Sequence, residues 1–219
     1  MSIDLNSSLG KRLLQNRLIA VLMVDREEDA VPLAQALLDG GIDIIELTLR
    51  TPAAIGAMRR IKDEVPGMTV GIGTVLTPGQ VDEIVEAGAA FGVSPGLNPR
   101  VVAHAREAGL PFGPGVCTPS DIESAVELGC HVLKFFPAES IGGLAYLNVI
   151  AAPYVHLDIS FIPLGGIRTA NLEEYLANPL VAAVGGSWIA PRNVIKEQAW
   201  DRIRETAREA AECVARMTA

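Results

Sequence analysis

The chain has 219 residues, enough for one sizeable core and within the range where a closed β/α barrel is a single domain, here expected over residues 1–219. Hydrophobic residues make up 49% and aromatics only 5%, while 18 Lys plus Arg stand against 26 Asp plus Glu for a formal net charge of -8. That balance provides apolar material for both faces of a parallel sheet and argues against a nucleic-acid or anionic-membrane partner, while leaving room for a small anionic substrate held by local basic groups.

In chain order, a helix is expected over 5–15, followed by β-type runs at 18–24, 42–47, 69–72, 90–94, 112–116, 132–136, 159–164 and 181–184. Helical patterns fill the gaps at 28–38, 53–64, 78–87, 99–108, 119–128, 145–151 and 172–177, and a last helix is expected over 197–216. Gly40, Gly88, Gly109 and Gly129 follow helical runs, where a left-handed residue closes the helix. Thr77-Pro78, Asn98-Pro99 and Thr118-Pro119 read as N-caps followed by proline at the first helical position. Eight strands alternating with helices at a spacing of roughly 20 to 25 residues predict a (β/α)8 TIM barrel with an extra N-terminal helix. An open doubly wound sheet is the alternative, but Val24-Asp25-Arg26-Glu27 after the first strand is not a glycine-rich dinucleotide turn.

Cys117, Cys130 and Cys213 form an odd set without metal-type spacing, which reads as free thiols in a reducing cytoplasm. The first residues, Met1-Ser2-Ile3-Asp4, do not open a secretion signal, and the apolar runs are too short for a membrane span. The sequence therefore predicts a cytoplasmic protein.

In a barrel of this kind the chemistry sits at the C-terminal strand ends. The sixth run places Val132, Lys134 and Phe136 on one face, with Leu133 and Phe135 between them. An amine in such surroundings is poorly solvated, which disfavours the ammonium and exposes a nucleophile; a buried structural ion pair is the competing reading. In the second run, Ile44, Glu46 and Thr48 share a face, so a carboxylate able to move protons enters the same interior. Arg50 follows just past that strand, where a guanidinium fork suits a substrate carboxylate, although an ordinary surface arginine is equally compatible. Gly165-Gly166 follows the seventh run and Gly185-Gly186-Ser187 the eighth, the usual barrel location for phosphate. His104, His131 and His156 lie in a helix or ahead of strands, and no metal set can be built from them. Asp25 and Glu27 read as solvated turn residues, and Cys117 has no histidine partner.

Taken together, six segments resemble the 2-keto-3-deoxy-6-phosphogluconate (KDPG) and 4-hydroxy-2-oxoglutarate (KHG) aldolases. They are Glu46-Leu47-Thr48-Leu49-Arg50-Thr51, Gly71-Ile72-Gly73-Thr74-Val75-Leu76, Ser94-Pro95-Gly96, Lys134-Phe135-Phe136-Pro137-Ala138-Glu139, Gly165-Gly166-Ile167 and Gly185-Gly186-Ser187-Trp188. The resemblance implies a homotrimeric class I aldolase that splits KDPG into pyruvate and glyceraldehyde 3-phosphate, and that also splits KHG into pyruvate and glyoxylate. It implies Lys134 as the Schiff-base lysine and Glu46 as the general acid/base. Arg50 and Thr74 match positions holding the pyruvate carboxylate, Pro95 and Phe136 match the pocket lining, and Gly165, Gly166 and Ser187 match the phosphate end. The imine on Lys134 would replace any metal or other cofactor, and the expected partner is a small 2-keto acid. One departure is Leu164, before Gly165-Gly166, where family members often carry threonine; leucine has no hydroxyl for the aldehyde half. The galactonate epimer of the substrate therefore stays open, as do a phosphate-binding barrel isomerase or epimerase and a binding protein without turnover.

Overall fold

Short apolar runs between capped helices become parallel strands in the computed structural model, which describes residues 2–218; the outermost residues of the expected domain, 1 and 219, lie outside it. The strands are β1 (Leu18–Leu22), β2 (Ile44–Thr48), β3 (Thr69–Gly73), β4 (Phe91–Val93), β5 (Phe112–Gly113), β6 (Gly115–Val116), β7 (Val132–Phe135), β8 (Ser160–Pro163) and β9 (Val184–Gly186). They form an α/β structure with a curled, wholly parallel sheet, paired in the orders β5-β4-β3-β2-β1-β9 and β6-β7-β8.

Two expected strands differ in instructive ways. The run 112–116 is split because Pro114 has no N–H for the ladder, and only its carbonyl engages, accepting from the Lys134 N–H at 2.9 Å. The run 181–184 contributes an isolated bridge at Val181 to Phe161, and the strand proper starts at Val184 and continues through the glycine pair. Gly185 and Gly186 are paired with Ile19 and Ala20 of β1. A Cβ on Gly185 would meet the Leu164 side chain, and one on Gly186 would collide with the Trp188 ring, so glycine here answers to close packing inside a strand.

The helices are α1 (Ser8–Asn16), α2 (Ala30–Asp39), α3 (Ala54–Glu64), α4 (Pro78–Ala87), α5 (Pro99–Glu107), α6 (Pro119–Glu127), α7 (Gly143–Ala151), α8 (Thr169–Ala177), α9 (Arg192–Lys196) and α10 (Trp200–Thr218). Thr77 and Thr118 form capping boxes with Gln80 and Asp121, and the Asn98 side chain accepts from the Arg100 N–H at 3.1 Å. Gly88, Gly109 and Gly129 adopt the left-handed conformation, whereas Gly40 has φ −83° and the turn is made by Gly41 at φ +91°. The helix expected over 197–216 is found at Trp200–Thr218, and a break at Gln198, whose φ is +54°, separates it from α9. The buried Asp29 carboxylate explains the break: it accepts from Gln198 Nε2 at 2.9 Å while Arg26 grips it with two hydrogen bonds.

Strand alternation divides the core into two layers. Leu133 and Phe135 of β7 face the helices, among residues such as Leu22, Leu47 and Phe161. Val132 faces the inside of the curl with Ile19, Ile44, Phe91, Val93 and Ile162, where Ile3 and Leu13 from the N-terminal segment join it. Each such fully buried side chain contributes roughly 1.5–3 kcal/mol relative to exposure. Helix α1 is fastened beneath the sheet by Arg12, which donates to Asp43 Oδ2 and to the Gly67 carbonyl, both at 2.6 Å.

Candidate active site

The inward faces of β2 and β7 bring Glu46 and Lys134 together. Lys134 Nζ donates to Glu46 Oε1 at 3.0 Å and Oε2 at 3.3 Å, and the two residues are only 7% and 2% exposed. Removing both charges from water is costly, and the direct pairing offsets much of that cost. The chemical consequence is an amine with a proton acceptor in contact and little competing water. The same Nζ lies 5.8 Å from the centroid of the Phe136 ring, so an aromatic face covers the amine on one side.

Gly73 makes this arrangement possible. It is paired with Thr48 across β2 and β3, and a Cβ there would collide with the Glu46 carboxylate. Thr74 follows immediately, at φ +63°, a conformation in which a β-branched residue is strained. Gly115, the partner of Lys134 across β6 and β7, lies directly against the Pro95 carbonyl, where a side chain would not fit. Thus Thr74 and Pro95 each follow or abut residues that touch the Lys134–Glu46 pair.

The pair lines one cavity, and a second lies beside Thr48, which follows Glu46 on the same face of β2. The first is small, about 20 Å³, and is lined by Lys134, Glu46, Leu164 and apolar residues that include Ile3, Leu9 and Leu13. The second is larger, about 410 Å³, and opens past the ends of β1, β2 and β9, among Thr48, Arg50, Gly166, Arg168, Ser187 and Arg192. Arg50 and Ser187 are both exposed there. Gly165 and Gly166 have φ +98° and +88°, which favour glycine, and a Cβ on Gly165 would lie 3.3 Å from the Phe136 ring. Of the residues anticipated from sequence, Lys134, Glu46 and Phe136 form one group and Arg50, Gly166 and Ser187 another, with Gly165 between them against Phe136. Thr74 and Pro95 line neither cavity. Leu164 lines the small cavity and packs on Gly185, away from the larger one.

Sequence reasoning missed Gly73, Arg168 and Arg192. Inward alternation of β3 could have flagged Gly73, since Gly71 and Gly73 fall on one face of that strand. It also treated Asp25 as a solvated turn residue. Instead Asp25 accepts two hydrogen bonds from Arg192, and Lys196 approaches it at 3.3 Å. The Arg192 hydrogen bonds, aided by Lys196, lower its carboxyl from the usual 3.8 to about 2. Cys117 lies at the same strand ends, where burial and the neighbouring Asp121 carboxylate raise its thiol and hold it protonated. Among the described residues, no three His, Cys, Asp or Glu side chains are grouped to hold a metal ion.

Comparison with known proteins finds relatives over most of the chain. The family model described as KDPG and KHG aldolase matches residues 9–206. The 2-dehydro-3-deoxy-phosphogluconate aldolase of Treponema pallidum (strain Nichols) is 49% identical over 179 residues, covering 82% of this chain and 84% of that protein. The KHG/KDPG aldolase of Escherichia coli (strain K12) is 44% identical over 194 residues, covering 89% and 90%. A crystal structure of the KDPG aldolase of Legionella pneumophila, with pyruvate captured at low pH as a covalent carbinolamine intermediate, superposes with a TM-score of 0.88. It shares 39% identity, over 93% of this chain and 98% of that one. The chain belongs to the KDPG and KHG aldolase family.

Proposed function

We propose that the protein is a class I aldolase that cleaves KDPG to pyruvate and glyceraldehyde 3-phosphate through an imine on Lys134, and that it also takes KHG to pyruvate and glyoxylate. The observation that carries this reading is the buried contact at 3.0 Å between Lys134 Nζ and the Glu46 carboxylate. The names of the relatives and the carbinolamine in the Legionella protein support the same chemistry.

In this mechanism Glu46 takes a proton from the Lys134 ammonium, and the neutral amine adds to the C2 ketone to give a carbinolamine. Glu46, directly or through a water, returns a proton to the departing hydroxyl, and water leaves as the iminium forms. The iminium is the electron sink: the C4 hydroxyl loses its proton to Glu46, the C3–C4 bond breaks, and its electrons pass into the enamine. The aldehyde departs, C3 is protonated, and water hydrolyses the imine to release pyruvate. The iminium does the polarising that a metal would otherwise do, so the reading assigns no metal and no cofactor. Arg50 and Thr74 hold the keto-acid carboxylate, with Pro95 and Phe136 walling the pyruvyl group. Gly165, Gly166 and Ser187 receive the phosphate, an assignment supported by the cavity that Gly166 and Ser187 share.

The curled sheet is read as a closed (β/α)8 barrel in one domain, residues 1–219, with α1 as an element added before the repeat. Hydrogen bonds of 2.9 Å from the Lys134 N–H to Pro114, and from the Ala182 N–H to Phe161, support closure by bridging the ends of the two strand sets. The docking of Leu13 into the inner cluster supports the role of α1 as a floor. Homotrimeric assembly and a cytoplasmic location rest on the family resemblance and on free thiols; no helix among the described residues is long and apolar enough to cross a membrane.

Coupled assays for pyruvate and for each aldehyde, run on KDPG, its galactonate epimer and KHG, test the reading. Release of pyruvate and glyceraldehyde 3-phosphate in equal amounts from KDPG, unaffected by chelator, is the expected result. Turnover without pyruvate would point to the isomerase or epimerase alternative, and faster cleavage of the epimer would reassign the substrate.

A further inference from the structure

The larger cavity holds more positive charge than the glycine-and-serine phosphate site requires. Arg192, at the start of α9, lines it together with Arg50, Gly166, Arg168 and Ser187. Its guanidinium is anchored through one edge: Nε donates to Asp25 Oδ2 at 2.9 Å and Nη2 to Asp25 Oδ1 at 2.5 Å. Nη1 makes no hydrogen bond among the described residues, so three of the five donors of the fork are uncommitted, and the two on Nη1 point away from the anchor. Lys196 shares the same carboxylate at 3.3 Å, so this corner of the rim carries two cations for one anion.

We propose that Arg192, pre-set by Asp25, is a specificity residue that reads the phosphate of the substrate and makes the enzyme prefer phosphorylated over non-phosphorylated 2-keto acids. The inference rests on the aldolase reading of this site. That reading fixes the C2 ketone at Lys134, and with it the direction of the carbon chain. The carboxylate next to C2 is taken by Arg50, and the far end of a six-carbon acid reaches the part of the larger cavity formed by Gly166, Ser187 and Arg192. A terminal phosphate on C6 extends further from C2 than the C5 carboxylate of the five-carbon acid does. A cation at the rim can therefore meet the first and not the second. The bidentate clasp of Asp25 removes much of the side-chain entropy that a long arginine would lose on gripping an anion.

The test compares kcat/KM for KDPG and KHG in the wild-type protein and in Arg192→Ala, Arg192→Lys and Asp25→Asn. Arg192→Ala is expected to lower kcat/KM for the phosphorylated acid by about tenfold, as befits one charge-assisted contact at a half-exposed site, with the change carried by KM. The value for the non-phosphorylated acid should stay within about twofold, as expected where no contact is lost. Arg192→Lys should recover part of the loss, and Asp25→Asn should show a smaller loss with the same substrate selectivity. Equal losses on both acids, or none on KDPG, would overturn the inference. Borohydride trapping of pyruvate on each variant serves as the fold control, since pyruvate is too short to reach the rim. If the wild-type protein cleaves neither acid, the aldolase reading itself fails; if it cleaves KDPG and Arg192→Ala shows no selective loss, only this inference fails.

Discussion

At the scale of single residues, the site depends on what is missing beside Glu46 as much as on what touches it. Gly73 leaves the volume that the carboxylate occupies, so Gly73→Ala should push Glu46 off Lys134 and cost about a hundredfold or more in kcat, the scale of losing a general acid/base. Steady-state kinetics on a variant with unchanged circular dichroism checks this, and an unaltered kcat would show that the contact is dispensable. Asp25 yields a prediction with a definite sign. Its folded carboxyl, lowered to about 2 from 3.8, contributes stability that is fully present above 3.8 and is lost as pH falls toward 2. Chemical denaturation between pH 5 and pH 2 should therefore show a shallower acid loss in Asp25→Asn than in the wild type; parallel curves would contradict the assignment. Lys134 and Glu46 were legible in the sequence because a charged side chain alternating with apolar ones inside a strand has few places to go. The Asp25–Arg192 pair was not, since its partners are 167 residues apart and each alone resembles an ordinary surface charge.

At the scale of elements, most boundaries followed from local chemistry. Thr77 and Thr118 announce α4 and α6 because a threonine before proline with an acceptor three residues on has one favourable local structure. The errors came where a distant contact overruled a local preference. The break between α9 and α10 is made by Asp29, far away in the chain, holding Gln198. The sequence places Gly185 and Gly186 in a phosphate loop after the eighth strand, and only the approach of Leu164 and Trp188 reveals that they lie within it and answer to packing. Helix α1 presents a sharper question, because Leu13 closes the inner core beneath the Lys134–Glu46 pair. Leu13→Ala should lower stability by about 2–5 kcal/mol, the range for a buried leucine truncated inside a packed core, as read from urea unfolding. A loss below about 0.5 kcal/mol, typical of a surface position, would show that α1 is merely draped on the sheet.

At the scale of the whole molecule, two electrostatic effects oppose each other. The chain carries a net charge of -8, which repels an anionic substrate at long range. The mouth of the site carries Arg50, Arg168 and Arg192, which attract it at short range. With a screening length of about 8 Å at physiological ionic strength, the local field should govern the final approach. Rising salt should accordingly lower kcat/KM for KDPG, whereas a rise with salt would mean that the global charge dominates. The parallel α/β architecture was readable from the alternation of strands and helices; the division at Pro114 depended on how the ladder accommodates a missing N–H. The whole mechanism depends on one bond, the imine between Lys134 and pyruvate. Incubation with pyruvate and borohydride, followed by peptide mass mapping, tests it most directly. A reduced pyruvyl adduct confined to the peptide containing Lys134, with loss of activity in step, is the predicted result. Absence of an adduct, or its appearance on another lysine, would contradict the mechanism.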